Sequence, residues 1–538
     1  MTYSRFISLI LLSIILIASA VAERVRIPLH EATIFDIQKA FDQGTLTSEE
    51  LVGMYLKRIE KYDQQGPALN SILTLNEEAI TEARKLDIER SKTGARSLLH
   101  GIPIIPKDNF DTADMPTTGG FKGLKDSIPV RDAFTIRRLR ESGAIILAKS
   151  NLDEFNSGSS GTSGLGGQVL NPYNLSKVPG GSSAGSGAAI AAVFGQVGLG
   201  TETGSSIRNP STKNNLVGIA STNGLVSRAG IVPSSIILDR AGPMARSVTD
   251  AAIVLQYMAG MDAADLTTIA SVGKMPVNGY HSFLDVDALK GSRIGVLRAN
   301  FGSDPEDAEA LSQIDKAIDS LAEGGATLLD PIPVGSIDMF EMLRTVSGSS
   351  GERAEAMNHY LAGRGPDVPV KTMQEIVGSG LALGKLQERL DESLREAPMY
   401  RNPDYANFVR NREAFKKLVI SWFKNYELDA IIYPYQTKPV YTIEQAAPNQ
   451  GETRSEFNNY DVMGRGTRMS TATGFPGITV PAGFTASDGM PVGLEFLGRP
   501  FDEGKLIGIC FAYEQGFSMR KLPSITPPLE AEWIEFDK

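Results

Sequence analysis

From Asn156 to Gly187 the chain is so rich in glycine and serine that composition alone would make it a flexible linker. Two features exclude that. The stretch is interrupted by Val169-Leu170-Asn171-Pro172-Tyr173, which has the look of a packed turn, and it runs without a break into Ala188-Ala189-Ile190-Ala191-Ala192-Val193, a tight helix of small residues. A Gly/Ser loop that opens a buried helix is the arrangement that surrounds an anion with backbone N–H groups.

The elements around this loop are those of an α/β domain. Ile34, Ile37 and Phe41 share one helical face, and Thr47 with Glu50 forms a capping box ahead of Leu51, Met54, Tyr55, Leu56 and Ile59. Asn76 to Arg90 reads as a polar surface helix. Gly101 to Pro106 is an apolar strand that runs straight into Lys107, and its prolines place it at a strand edge or end. Thr135 to Ser142 is a helix and Ala144 to Ala148 a short buried strand. Ser292 to Leu297, Glu309 to Glu323 and Ala326 to Asp330 give a β-α-β order, which predicts parallel pairing. Residues 340 to 425 are mostly helical. Further strands fall at Asp429 to Tyr433, Gly477 to Pro481 and Val492 to Leu497, with a helix over Gly504 to Gln515. No stretch after residue 23 has the length and polarity of a linker, so residues 23–538 are expected to form one large α/β domain around a central mixed sheet.

Residues 1–22 read as a signal peptide: Met1 to Arg5 carry one positive charge, Phe6 to Ala22 are apolar, and Ala18-Ser19-Ala20 and Ala20-Val21-Ala22 offer cleavable small residues. The expectation is an exported protein, periplasmic or secreted, with no stable membrane insertion after cleavage; the alternative is an uncleaved anchor. Cys510 is the single cysteine, so the mature chain relies on its core and not on an intrachain disulfide. A formal net charge of -10 without a basic stripe argues against a nucleic-acid partner.

Metal and phosphate motifs are poor. None of the 4 histidines pairs with another at a ligand spacing, there is no Walker loop, and Gly195 to Gly200 is read as helix-end and turn chemistry. No cofactor or metal is expected. Gly181-Ser182-Ser183-Ala184-Gly185 fits the nucleophile elbow G-x-S-x-G with Ser183 as nucleophile. That reading needs a strand before it and a motif-borne histidine after it. Asn174 to Pro179 is polar, and His281 and His359 sit in no supporting motif.

A second constellation needs no histidine. Lys107, in Pro106-Lys107-Asp108-Asn109, sits at the end of an apolar strand, where desolvation disfavours the ammonium and leaves a neutral amine able to act as a base. Gly180-Gly181-Ser182-Ser183 offers a serine on backbone free to adopt unusual angles. Gly200-Thr201-Glu202-Thr203-Gly204-Ser205-Ser206 offers another serine on a turn whose amides suit a developing oxyanion.

These segments, together with Ala241 to Arg246, Gly474 to Pro481, Pro491 to Leu494 and Gly498 to Pro500, resemble the amidase signature family from about Ile34 to Gln515. The resemblance implies a single-domain fold whose twisted sheet is mixed but mostly parallel, with helices on both faces. It implies a catalytic set of Lys107 as base, Ser182 as a bridging serine after a cis peptide, and Ser206 as the acyl-forming nucleophile. Thr203, Gly204, Ser205 and Asn156 would line the oxyanion and substrate side, with the loop Asn156 to Gly164 along the acyl pocket. The implied activity is hydrolysis of a linear carboxamide, a small amide or a peptide C-terminal amide, closest in pattern to the peptide amidase and general amidase members. A homodimer is left open.

The chain departs from the family at three places. Ser205 stands where glycine is usual, Ile219-Ala220-Ser221-Thr222 replaces Leu-Lys-Pro-Thr, and Arg240 replaces a threonine or polar residue. A serine forced to positive φ at 205 would reshape the oxyanion side; the other two changes are assigned to packing or the pocket wall. The departures leave two alternatives beside the amidase: an exported binding protein with a decayed site, or a hydrolase of lipid amides.

Overall fold

The computed structural model describes residues 24–346, 351–446, 468–517 and 519–538. The expected signal peptide lies outside them. At the centre is a ten-stranded sheet, whose strands are numbered here in chain order: β1 (Pro103–Pro106), β2 (Ile145–Ile146), β3 (Val197–Glu202), β4 (Val217–Ala220), β5 (Arg240–Ala245), β6 (Arg293–Val296), β7 (Thr327–Leu329), β8 (Ala430–Pro434), β9 (Gly477–Phe484) and β10 (Pro491–Leu497). The spatial order is β7-β6-β8-β10-β9-β4-β5-β3-β1-β2. The single α/β domain with a mixed sheet is as expected, and β6 and β7 are parallel as their β-α-β order requires. The preponderance of parallel pairs is not observed. Parallel pairing holds only at the two ends, β7-β6-β8 and β3-β1-β2, while the middle of the sheet is antiparallel throughout. The reason is connectivity: β9 and β10 are joined as a hairpin that wedges between β8 and β4.

Gly195 to Gly200, read as turn chemistry, is instead largely strand β3, buried along its whole length between β5 and β1. Its glycines are needed for approach: a Cβ at Gly198 would stand 2.9 Å from Ile190. Ile190 belongs to a helix at Ala184–Ala191, every residue of which is buried. The small-residue run therefore does pack as a buried helix, starting earlier than its apolar part suggests, inside the Gly/Ser stretch. At Gly185 a Cβ would lie 2.4 Å from the carbonyls of Ser71 and Asn151, so only glycine admits the helix there. The prolines of β1 sit at its first and last positions, where a missing donor costs no ladder bond.

Strand β1 delivers Lys107 and strand β3 delivers Thr201 and Glu202. The two strands are parallel neighbours, with Pro106 opposite Leu199 and the Lys107 N–H donating to the Leu199 carbonyl at 3.1 Å. Their carboxyl ends point the same way, which is where a parallel pair gathers a site.

Candidate active site

Lys107 is fully buried. Its Nζ lies 2.8 Å from Ser182 Oγ and 3.0 Å from Thr201 Oγ1. Burial pushes this lysine down to about 7, against the upward pull of Asp153, Asp239 and Glu202. Thr201 Oγ1 also accepts from Asn109 Nδ2 at 2.8 Å, and the same amide donates to Asn156 Oδ1 at 3.0 Å. Asn156 in turn donates to the Val232 carbonyl.

Ser182 follows a cis Gly181–Ser182 peptide and precedes the buried helix at Ala184–Ala191. Asp153 lies beneath it. The Asp153 N–H donates to the Ser182 carbonyl, and a Cβ at Gly181 would collide with Asp153 Oδ2 at 1.8 Å. Asp153 Oδ1 accepts from the amides of Ser160, Gly161 and Thr162. Burial pushes the Asp153 carboxyl up to about 6, against those amides. The loop after Asn156 thus folds onto Asp153, and Asn156 reaches a cleft that Thr201 and Thr203 also border.

Ser206 lies on the turn between β3 and the helix at Arg208–Lys213. Its carbonyl accepts from the Ser183 N–H at 3.3 Å, which clamps the two serine segments side by side. The Ser182 and Ser206 hydroxyls do not hydrogen-bond to each other directly. Ligand-free sites commonly tighten such contacts only around substrate. The backbone N–H groups of Thr203, Gly204, Ser205 and Ser206 have no acceptor among the described residues. The next two amides, Ile207 and Arg208, are spoken for by Glu202 Oε2. The turn is therefore held from its far side, and its leading amides are left open.

What holds it is a buried charge cluster. Glu202 pairs with Arg208 at 2.9 Å and Arg240 at 2.6 Å, and Arg208 pairs with Glu495 at 2.6 Å, which also accepts from the Tyr433 hydroxyl. Burial raises the Glu202 carboxyl, but the two arginines outweigh it and hold it down at about 2. Arg240 also donates to the carbonyls of Ser221 and Phe475. The departures at Ser221 and Arg240 therefore meet, in a packed position from which Arg240 also borders the cleft, in keeping with the reading of packing or pocket wall. Ser205 takes no positive φ, so serine is unstrained there and the feared distortion of the turn does not arise.

Ser183, the alternative nucleophile, is tied to strand β3: its Oγ accepts from the Thr201 N–H and donates to the Thr201 carbonyl. Neither His281 nor His359 bonds it.

A cleft of about 590 Å³ reaches the site at Asn156, Thr201 and Thr203. Asn156, Thr201, Thr203 and Asp239 are among its polar lining, together with Arg228, Asp265 and Glu355, and Thr203 Oγ1 donates to Asp239. Ile231, Val232 and Pro233 form a wall, and Ile236 and Leu266 line it as exposed apolar residues. Sequence reading missed Asn109, Thr201, Asp153 and Asp239. Asn109 and Thr201 carried a faint signal, standing two residues from Lys107 and within the matched glycine-threonine turn. Asp153 and Asp239 carried none.

A fully buried lysine at a parallel-strand end thus faces two serine-bearing segments, and the class of protein to which such a chain belongs is given by its relatives. The family model Amidase matches residues 50–507, so the chain belongs to the amidase family. It is 34% identical over 511 residues to a probable amidase of Arabidopsis thaliana, covering 92% of each chain. The crystal structure of the peptide amidase from Stenotrophomonas maltophilia superposes with a TM-score of 0.80 at 35% identity, over 92% of this chain and 99% of that one. An amidase family protein from Bacillus anthracis superposes with a TM-score of 0.78 at 34% identity, over 92% of this chain and 93% of that one. The chain is a hydrolase of amides, acting on a carbon–nitrogen bond.

Proposed function

We propose that the protein is an exported serine amidase that cleaves primary carboxamides through an acyl-Ser206 intermediate. The observation that carries this reading is the 2.8 Å contact between Lys107 Nζ and Ser182 Oγ, made by a lysine that burial pushes down to about 7. Neutral Lys107 takes the Ser182 proton as Ser182 takes the Ser206 proton. Ser206 Oγ then attacks the amide carbonyl. The oxyanion faces the open amides of Thr203 to Ser206, each worth about 3–4 kcal/mol to the transition state. The proton returns through Ser182 to the leaving nitrogen, ammonia departs, and water repeats the cycle to release the carboxylic acid.

The apolar wall of Ile231, Val232 and Pro233, extended by Ile236 and Leu266, favours an amide with a sizeable apolar acyl group, such as a peptide C-terminal amide. The peptide amidase likeness supports that class. A role in tRNA-dependent amidotransfer is less favoured, because it would need a partner in the cytosol while Phe6 to Ala22 reads as an export signal.

The test is ammonia release from peptide amides, aliphatic amides and aryl amides, with Lys107→Ala as the blank, alongside a fluorophosphonate serine probe. Release by the parent, a silent blank and covalent labelling lost in Ser206→Ala are expected. Unchanged activity in Lys107→Ala would end the mechanism, and a parent that neither hydrolyses nor labels would favour a decayed binding protein.

A further inference from the structure

Arg353 opens the helix at Arg353–Ala362. A cation there meets the positive end of the helix, where an acid would be favoured. Burial also pushes this arginine down, against the upward pull of Asp239. Arg364, just beyond the same helix, spends its guanidinium on the Asp111 carboxylate at 2.7 Å. Arg353 turns to neutral oxygens instead: its Nη2 reaches the Phe155 carbonyl at 3.1 Å, Ser157 Oγ and, at 3.3 Å, Ser234 Oγ. The first two lie on either side of Asn156. The third belongs to the loop whose Ser234 and Ser235 amides hold Asp239, the acceptor of Thr203 Oγ1.

Phe155 and Asn156 need such a hold. Their φ values are 48° and 61°, so two consecutive residues with side chains sit in the left-handed region. The Phe155 ring packs on Phe121 with centroids 5.0 Å apart, and the Phe155 N–H donates to the Gly119 carbonyl at 2.8 Å. Arg353 holds the carbonyl side.

This backbone aims Asn156 toward the lysine. Asn156 Nδ2 donates to the Val232 carbonyl at 2.9 Å. A carbonyl only accepts, so Asn156 Oδ1 faces Asn109, and Asn109 answers with its NH2, which also donates to Thr201 Oγ1. Asn109 thus competes with a Lys107 ammonium for the lone pairs of Thr201, which favours the neutral amine. A reversed Asn109 amide would draw the Thr201 hydrogen and leave both lone pairs to the ammonium. We propose that Arg353 is a positioning residue for the Lys107 base: it clamps the backbone on both sides of Asn156 and so fixes the direction of the amide chain Asn156–Asn109–Thr201. This rests on the reading of Lys107 as the base.

The experiment is the pH profile of kcat/KM for ammonia release from a peptide amide, or of fluorophosphonate labelling where turnover is too slow. It compares the full chain with Arg353→Met, Asn156→Ala and the double variant, each checked by urea unfolding. The carboxylates that pull Lys107 upward, Asp153, Asp239 and Glu202, are kept in every variant. In Arg353→Met the acid limb is expected to move up by about one pH unit, so that the rate at about pH 6 falls about tenfold while the high-pH plateau changes less than about threefold. In the Asn156→Ala background the same substitution should move the limb no further. A limb that stays at the parent's pH while stability or plateau falls overturns the proposal. Equal shifts with and without Asn156 overturn it as well, since the lost cation would then act through space. If Arg353→Met does not fold, Arg353→Gln is held to the same criteria. Failure of the underlying reading looks different: Lys107→Ala would keep the parent's activity, or the parent would show no acid limb, and the positioning role would fall with it.

Discussion

Two fully buried lysines sit on neighbouring strands and meet opposite fates. Lys107 and Lys149 are both 0% exposed, and their backbones lie side by side through the bridge between Lys107 and Ser150. Lys149 Nζ reaches the Asp108 carboxylate at 2.9 Å, with Thr117 Oγ1 and the Pro116 carbonyl completing its shell. Lys107 meets only the hydroxyls of Ser182 and Thr201. Asp108 follows Lys107 directly in the chain, yet the chain turns there, with the Phe110 N–H donating to the Lys107 carbonyl, and this carboxylate serves Lys149. Burial alone therefore does not make a base. At Lys149, where a carboxylate is within reach, the buried amine is ion-paired; at Lys107, where the partners are hydroxyls, burial pushes the amine down to about 7, as the proposed base requires.

The contrast is broken most sharply by exchanging the lysines' roles. Lys107→Met is expected to cut ammonia release by about 10³-fold with little loss of stability. Lys149→Met should do the reverse: it strands Asp108 and costs about 3–5 kcal/mol in urea unfolding, with activity per folded molecule nearly retained. Equal loss of activity in both would erase the distinction.

The pH profile sharpens it next. The base must be neutral, so kcat/KM should rise with pH and level off above the Lys107 value of about 7, falling roughly tenfold per unit below it. A limb displaced by more than a unit would mean that another group governs the rate.

Thr201→Val removes one of the two hydroxyls around Lys107 Nζ and one of the two acceptors of the Asn109 amide. A loss of about 10-fold in kcat with KM little changed is expected, together with a shifted acid limb, and Thr201→Ser should restore both. A purely structural role would lower stability and leave the limb in place.

The smallest effect belongs to Ser205→Gly. Because Ser205 needs no positive φ, glycine relieves nothing and adds backbone entropy, for about 0.5–1 kcal/mol of lost stability and a kcat within about twofold of the parent. A large gain in kcat would show that this serine does reshape the turn.

Much of the site was legible because its chemistry is carried by short, contiguous segments. Lys107 at the end of an apolar strand, Ser182 after paired glycines and Ser206 on a glycine-threonine turn can each be found by local pattern, and the structure brings the three segments together. Strand β3 was not legible. Val197 to Glu202 is interrupted by glycines that exist to let Ile190 and its helix approach, and that thinning of side chains hides a buried strand behind the look of a turn. The sheet's antiparallel middle was also hidden, since it depends on where the β9–β10 hairpin inserts and not on either strand's own residues.

By itself, the sequence determined the family, the α/β class and the identity of the lysine and serines offered for catalysis, because those follow from residue type and near-neighbour spacing. Only the tertiary structure decided which buried lysine is left without a carboxylate, and that the turn before Ser206 is braced by Glu202, Arg208, Arg240 and Glu495. Charge state depends on the distance to the nearest opposite charge, and here that partner comes from residues as far as 287 positions away in the chain.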